Sequence, residues 1–304
     1  MKEIRLGGKF PVSPIGLGCM RMASLTETEA EKVIRTAMEN GITFFDHADI
    51  YGGGRSEEIF GNVLRSSPGL RQKMVLQSKC GICRGYYDAS GEHIIQSAEG
   101  ILSRLGIDSL DILLLHRPDA LMEPEEVAKA FEELHRSGKV RYFGVSNENP
   151  RQIALLEKEM PGRILINQLQ FGPAHTGMVD VGLNVNIRSE YAVDRDGMIL
   201  DYCRLHGITI QAWSPFQYGM FEGVFLKNEK YQELNKAVRE ISEKYGVTDS
   251  AIVAAWILRH PAGIQTIIGS MNPGRIAETA KAMDISLTRP EWYRLYLAAG
   301  NPLP

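Results

Sequence analysis

Thr43-Phe44-Phe45-Asp46-His47-Ala48-Asp49-Ile50-Tyr51-Gly52 is the stretch on which the architecture turns. Residues 43–45 form a β-branched and aromatic run of the kind expected for a buried strand, and the run stops at a carboxylate, Asp46. Tyr51 follows within one short loop. Gly52-Gly53-Gly54 signals a turn, and Ser56 with Glu57 and Glu58 reads as an N-cap with acids in the first helical turn. A buried strand that ends on an ionisable residue and turns through glycines into a helix suggests a site. The fold depends on how often that unit recurs.

Upstream, residues 2–12 carry a Gly7-Gly8 turn between two short runs, a hairpin ahead of the main fold. A first strand over 12–17 leads into Gly16-Leu17-Gly18-Cys19-Met20-Arg21, and Thr26 with Glu29 is a capping box before the helix at 30–40. Downstream, strand-like runs fall at 74–77, 110–115, 140–145, 164–166, 208–212 and 265–268. Between and after them, helical spacing is seen at 56–65, 93–105, 124–137, 150–158, 197–205, 229–244, 249–259, 273–283 and 289–297. Residues 171–194 are the one long irregular stretch.

Eight strand-like runs alternating with helices suit two architectures, a closed eight-stranded barrel and an open doubly wound sheet. Count and length favour the barrel. So does the absence of a dinucleotide fingerprint, because Gly16-x-Gly18 continues to Arg21 where a third glycine is needed. The expectation is a single (β/α)8 TIM-barrel domain over residues 1–304, with an N-terminal β-hairpin and extra helices.

Composition narrows the class. Hydrophobic residues make up 44% and charged residues 23%, as in a globular protein with a sizeable core. The net charge is −3 with no basic run, which argues against nucleic acid or an anionic membrane as partner. The first residues lack the apolar core of a signal peptide, no run approaches membrane-spanning length, and four cysteines make no disulfide framework. A cytoplasmic enzyme, monomeric or weakly oligomeric, with a small-molecule substrate is the expectation.

In a barrel, the C-terminal ends of all eight strands face one mouth. Here those ends carry Asp46, Lys79, His116, Ser146-Asn147, Gln168, Trp213-Ser214 and Gly269-Ser270, while the strand interiors read as apolar. Together with Asp46-His47-Ala48-Asp49-Ile50-Tyr51-Gly52, Leu114-Leu115-His116-Arg117-Pro118, Gly144-Val145-Ser146-Asn147, Asn167-Gln168, Trp213-Ser214-Pro215 and Ile268-Gly269-Ser270 with Arg275, they form a specific ordered set. On these motifs the sequence resembles the aldo-keto reductases over essentially its whole length, and especially the bacterial branch with a His-Ala-Asp-Ile-Tyr-Gly second-strand motif.

The resemblance implies a catalytic tetrad of Asp46, Tyr51, Lys79 and His116 that reduces aldehydes, ketones or sugars. Tyr51 is the implied proton donor, since a phenol titrates near ~10 and holds its proton at neutral pH. Lys79 is expected to lower that pKa by stabilising phenolate. Asp46 is expected to hold Lys79 and compensate its charge, and His116 to hydrogen-bond the carbonyl oxygen. Outside this context an Asp–Lys pair is more often structural, a tyrosine before glycines is usually a packing residue, and a histidine at a strand end is usually a hydrogen-bonded rim residue.

The family's hydride donor is NADPH, bound without a Rossmann turn. By resemblance Asp46 also touches the cofactor, Ser146, Asn147 and Gln168 hold the nicotinamide amide, and Trp213 stacks under the ring where tyrosine is frequent. Met20 and Arg21 approach from the first loop, and Ser214, Pro215, Phe216 and Gln217 line the diphosphate path. Ile268, Gly269 and Ser270 lead to a helix N-terminus suited to the 2′-phosphate, with Arg275 to grip it and Glu278 and Thr279 near the adenine. Gly269 stands where many relatives carry lysine, so one cation fewer leaves NADH as the alternative to NADPH/NADP+.

Three signals are set aside. Cys80-Gly81-Ile82-Cys83 has redox or half-zinc spacing but no second cysteine pair, so no metal is expected. His47 and Asp49 flank the tetrad without an assigned role. The 171–194 segment, with His175 and Met178, is long enough for a lid or specificity loop. The competing functional class is a cofactor-binding redox sensor like potassium-channel β-subunits, which resemble the same barrel. Such a module is expected to carry a docking segment ahead of the barrel, and turnover of a generic aldehyde separates the two classes.

Overall fold

The computed structural model describes residues 3–303; Met1, Lys2 and Pro304 lie outside it, including the first residue expected in the hairpin. The hairpin is β1 (Ile4–Leu6) and β2 (Phe10–Val12), paired antiparallel. The barrel begins with β3 (Ile15–Gly18), then α1 (Glu27–Glu39), β4 (Phe44–Asp46), α2 (Arg55–Ser66), β5 (Val75–Cys80) and α3 (Gly91–Leu105). It continues through β6 (Leu110–Leu115), α4 (Pro124–Arg136), β7 (Val140–Ser146), α5 (Pro150–Glu159) and β8 (Ile164–Gln170). After α6 (Gly177–Leu183) and α7 (Ile199–His206) come β9 (Thr209–Trp213), α8 (Gln232–Tyr245) and α9 (Asp249–Leu258). The chain ends with β10 (Gln265–Ile268), α10 (Pro273–Ala280) and α11 (Arg289–Ala298). Strands β3 to β10 pair parallel in sequence order and β10 closes on β3, so this is an eight-stranded closed barrel.

Several boundaries moved for physical reasons. Val12 belongs to the hairpin rather than the first barrel strand, because it pairs with Ile4 and Pro14 interrupts the chain before Ile15. Leu6 and Val12 pack with Phe44, Ile112, Leu114 and Ile267, so the hairpin plugs the barrel end opposite the strand C-termini. Ser56 does not cap α2. Gly54 does, with φ of 91°, after Gly52 and Gly53 at 60° and 63°. Three consecutive left-handed residues are strained for side-chain-bearing residues, which is why the loop carrying Tyr51 ends in glycines. Ser56 Oγ instead accepts from Ala23 N and donates to Met20 O, tying the first loop to the second.

The strand interiors are not uniformly apolar, contrary to the sequence reading. Gln77, Gln211 and Gln265 are fully buried inside the barrel, where register pairs Gln77 with Asp46 and Gln211 with both Gln168 and Gln265. Amides are tolerated there because each finds another amide across the barrel. Gln77 and Gln168 Nε2 donate to Gln211 Oε1 (2.9 and 3.0 Å), Gln211 Nε2 donates to Gln265 Oε1 (2.8 Å), and Gln265 Nε2 reaches Ser13 O (2.9 Å). The 171–194 segment is less irregular than expected, since it holds α6, and Asp180 on that helix accepts a 2.8 Å bond from Tyr296 Oη on α11. Among the described residues, no helix is long and apolar enough to cross a membrane.

Candidate active site

Asp46 closes β4, Lys79 is the last but one residue of β5, and His116 follows β6, so three successive strand ends supply three of the four expected groups. Tyr51 returns to them on the loop that the glycines turn. Lys79 Nζ lies 2.8 Å from Asp46 Oδ2, 2.8 Å from the His47 carbonyl and 3.1 Å from Tyr51 Oη. An ammonium has three N–H donors, and all three are used. The Tyr51 and His116 rings meet edge to face with centroids 6.0 Å apart. Asp46 Oδ1 accepts from Gln77 Nε2 (2.6 Å) and Gln168 Nε2 (3.1 Å).

Burial sets the protonation of this cluster. Lys79 is fully buried; that burial pushes its pKa down, but Asp46 and then Tyr51 outweigh it and hold the ammonium above its ordinary value. The Tyr51 hydroxyl is raised, against the expectation that Lys79 would lower it. Burial is the larger effect and Lys79 only partly offsets it, so the phenol stays protonated through neutral pH. His116 is driven well below its ordinary value by burial and then by Lys79 and Arg117, which makes it a neutral imidazole with one N–H to give. His47, its ring edge-on to Phe60, is lowered to about 3 by burial and Lys79. Its main chain is what serves the site, as an acceptor for Lys79. Behind the cluster, Ser78 Oγ donates to buried Glu57 (2.6 Å), which Arg104 grips from the other side (2.8 Å).

A cavity of about 1350 Å³ opens from this floor and runs along the mouth to α10. Asp46, Tyr51 and His116 line one end; Lys79 lies beneath it. Ser146, Asn147, Gln168 and Trp213 form the adjoining wall. Trp213 Nε1 donates to Asn147 Oδ1 (3.2 Å), Asn147 Nδ2 to Ser146 Oγ (2.8 Å), and Ser146 Oγ to the Gln168 carbonyl (3.0 Å). Asn147 and Ser214 adopt left-handed backbone conformations (φ 60° and 47°) at the ends of β7 and β9. Ser214, Pro215, Phe216 and Gln217 continue along the cavity, with Met20 and Arg21 opposite.

At the far end lie Ile268, Gly269, Ser270, Arg275 and Thr279. Asn272 caps α10 by accepting from Arg275 N (3.0 Å). Glu278 is not part of the lining; it is held in a two-pronged pair with Lys281 at 2.7 and 2.8 Å. Arg21 takes up the space beside Gly269. Its Nη1 donates to Gly269 O (2.9 Å) and lies 3.0 Å from where a Cβ at 269 would stand.

The sequence reading missed Arg117, whose guanidinium sits 5.8 Å from the Trp213 ring centroid, and a wall from the α8–α9 junction that includes Arg239 and Ser250. The Gly246-Val247-Thr248 stop-and-cap signal marks that junction, but nothing in it says which way the turn faces. None of residues 171–194 lines the cavity, so the long segment is not its wall. The loop after β9 supplies that wall, with Phe216, Phe221 and Val224.

The chain is a closed parallel barrel of the TIM-barrel class that brings an acid, an amine, a phenol and an imidazole together at its mouth. The family model described as the aldo/keto reductase family matches residues 14–296, and the chain belongs to that family. It is 36% identical to the uncharacterized oxidoreductase YcsN of Bacillus subtilis, with all of both chains covered. It is 34% identical to a 6-dehydroglucose reductase of Agrobacterium fabrum, covering 98% of each. Among solved structures, an aldo-keto reductase from Klebsiella pneumoniae in complex with NADPH is similar with a TM-score of 0.79 and 26% identity, over 100% of this chain and 96% of that one.

Proposed function

We propose that this chain reduces aldehyde or ketone groups, including those of sugars, with NADPH as hydride donor and Tyr51 as proton donor. One observation carries the reading: a single buried ammonium touches both the Asp46 carboxylate and the Tyr51 hydroxyl at the floor of a long cavity. Bound along that cavity, the nicotinamide cofactor supplies the hydride. The chain's own groups handle the proton. Tyr51 Oη releases its proton to the carbonyl oxygen as negative charge builds there, and the Lys79 N–H already directed at it stabilises the phenolate that results. Asp46 keeps Lys79 charged and in place. Neutral His116 donates a hydrogen bond to the same substrate oxygen and so fixes which face of the carbonyl is presented.

Residues for the cofactor fit the group on this chain's own terms. An aromatic wall at Trp213 and an amide-rich wall at Asn147 and Gln168 suit the nicotinamide end. Arg275 at the capped N-terminus of α10 suits a phosphate. Arg21, beside Gly269, offsets the missing lysine and favours NADPH over NADH. The name of the Agrobacterium relative makes sugar aldehydes and ketoses the first compounds to assay.

The test is NADPH oxidation against a carbonyl panel, followed by Tyr51→Phe. Loss of kcat by about 10²–10⁴-fold, with NADPH affinity near wild type, is the expected outcome. Retention of most turnover removes Tyr51 from the role, and no turnover of any carbonyl by the wild type favours the redox-sensing module, which keeps the same site.

A further inference from the structure

We propose that the loop after β5 holds a second site, for a single borderline-soft divalent cation of the zinc class, made by Cys83, Asp88 and His93. The Cys80-Gly81-Ile82-Cys83 spacing does not itself form a site. Cys80 is fully buried in β5 with its thiol against the Leu114 carbonyl, and burial pushes that thiol well up. Cys83 lies beyond the strand, half-buried, and meets two residues that the spacing does not advertise.

One ligand atom from each of Cys83, Asp88 and His93 lies within 4.8 Å of the other two. Cys83 Sγ and His93 Nε2 are 3.8 Å apart. Zinc bonds of about 2.3 Å to sulfur and about 2.1 Å to nitrogen, at a tetrahedral angle, set those atoms about 3.6 Å apart. A thiolate, an imidazole and a carboxylate are the three protein ligand types that zinc takes, and three of them leave a fourth position for water.

The scaffold is ordered before any ion arrives. Residues 81–88 form a small hairpin, with Ile82 bridged to Tyr87, Cys83 N donating to Tyr86 O and Asp88 N donating to Gly81 O. Asp88 Oδ1 accepts from Ser90 N (2.9 Å), and Ser90 caps α3, whose first turn carries His93. The ion competes with three contacts now made by its ligands: the Tyr86 hydroxyl on Cys83, Cys83 Sγ on His93 Nε2 at 3.8 Å, and Ser97 Oγ at 3.2 Å from His93 Nε2. Each is a single hydrogen bond at a half-buried site, a small loss against metal coordination.

Its consequence reaches the cavity. Ile82, one residue before Cys83, lines the same cavity as Tyr51, and Lys79 stands just four positions before the cysteine. A cation that pins the hairpin to α3 therefore stiffens one wall of the substrate space without touching the tetrad.

The experiment uses the full chain without a histidine tag, stripped with a chelator and measured with no nicotinamide present, so its outcome is separate from turnover. Titration with Co2+ is expected to saturate at one ion per chain and to produce a thiolate-to-cobalt charge-transfer band. Cys83→Ser abolishes the band, and Cys83→Ser or His93→Gln raises the Zn2+ dissociation constant by about a hundredfold, the upper end of what disturbing even an outer-shell partner costs. Asp88→Asn weakens binding while keeping the band. Hydrogen exchange over residues 81–93 slows with Zn2+ in the wild type only. Absence of the band in the wild type, or Zn2+ binding unchanged in Cys83→Ser and His93→Gln, overturns the site.

Discussion

Replacing Glu148 with glutamine is expected to stabilise this protein at alkaline pH and to leave it unchanged in acid. Glu148 directly follows Asn147 in the loop after β7 and is 2% exposed, and neither of its carboxylate oxygens has a hydrogen-bond partner among the described residues. Only its main chain is engaged, as acceptor for Asn167 Nδ2 at 2.8 Å. With no cation or donor to hold the charge, burial alone raises its pKa from 4.5 to about 7. Between those two values the folded state keeps a proton that the unfolded chain has released, so stability falls as pH rises through that window and is level outside it. The shift is 7 − 4.5 = 2.5 units, or about 3 kcal/mol at ~1.36 kcal/mol per unit. Glutamine has the same shape and no charge, so it removes that dependence. At pH 8 the variant should gain up to about 3 kcal/mol, a rise in melting temperature of about 6 °C for a chain of this size; at pH 4 the two proteins should melt together. The difference between variant and wild type is the quantity to measure, because buried His47, with its pKa lowered to about 3, has the opposite sign and is common to both. Its contribution is lost as pH falls from about 6.5 towards 3. A variant that melts with, or below, the wild type at pH 8 refutes the reasoning.

Lys79→Met strands the Asp46 carboxylate in the barrel, with a loss of about 3–5 kcal/mol read by thermal or denaturant melts; the double variant with Asp46→Asn should recover stability and stay inactive. Arg21→Ala and Arg275→Ala should each weaken NADPH by about tenfold, the scale of one charge-assisted hydrogen bond of ~1.5 kcal/mol, and leave NADH nearly unchanged. Cofactor fluorescence titrations with both dinucleotides check this, and equal losses for the two end the 2′-phosphate assignment.

The barrel was legible because its signal is repetition. Each of eight apolar runs is short and ambiguous, but their alternation with capped helices has few other solutions. That Asp46, Lys79 and His116 would meet was legible for a related reason, since ionisable residues stood where apolar runs stopped, whereas Tyr51 was joined to them only through the family resemblance. What the pattern hid was polarity inside the strands. Gln77, Gln211 and Gln265 fell within runs read as apolar strands, and only the closed barrel brings their amides together. Apolarity also ended β5 and β8 too early: the structure carries them through Lys79 and Gln168, because backbone pairing continues after the side chains turn polar. The loop after β9 and the α8–α9 turn were missed as cavity walls because loop direction is set by packing and leaves no local pattern. Cys83, Asp88 and His93 escaped for the same cause, five residues apart with no periodicity to join them.

That hidden amide layer explains how the barrel tolerates its ion pair. An Asp–Lys pair with both members essentially unexposed loses several kcal/mol of hydration per ion, and their mutual attraction offsets this only when the remaining lone pairs and protons are satisfied. Here they are. Lys79 spends its three N–H groups on Asp46, the His47 carbonyl and Tyr51, while Asp46 receives Lys79 on one oxygen and two glutamine amides on the other. Those amides are tied to one another. Gln77 and Gln168 turn their N–H groups towards Asp46 and towards the Gln211 oxygen, while Gln211 gives its own N–H groups back to Gln77 Oε1 (3.1 Å) and on to Gln265, which reaches Ser13. The layer presents two amide N–H groups to one oxygen of the carboxylate and so holds that charge in place. Lys79 is held by three partners, and its third N–H is directed at the oxygen of Tyr51. The ammonium that touches the phenol is thus held by a network that extends through the barrel to the end closed by the hairpin.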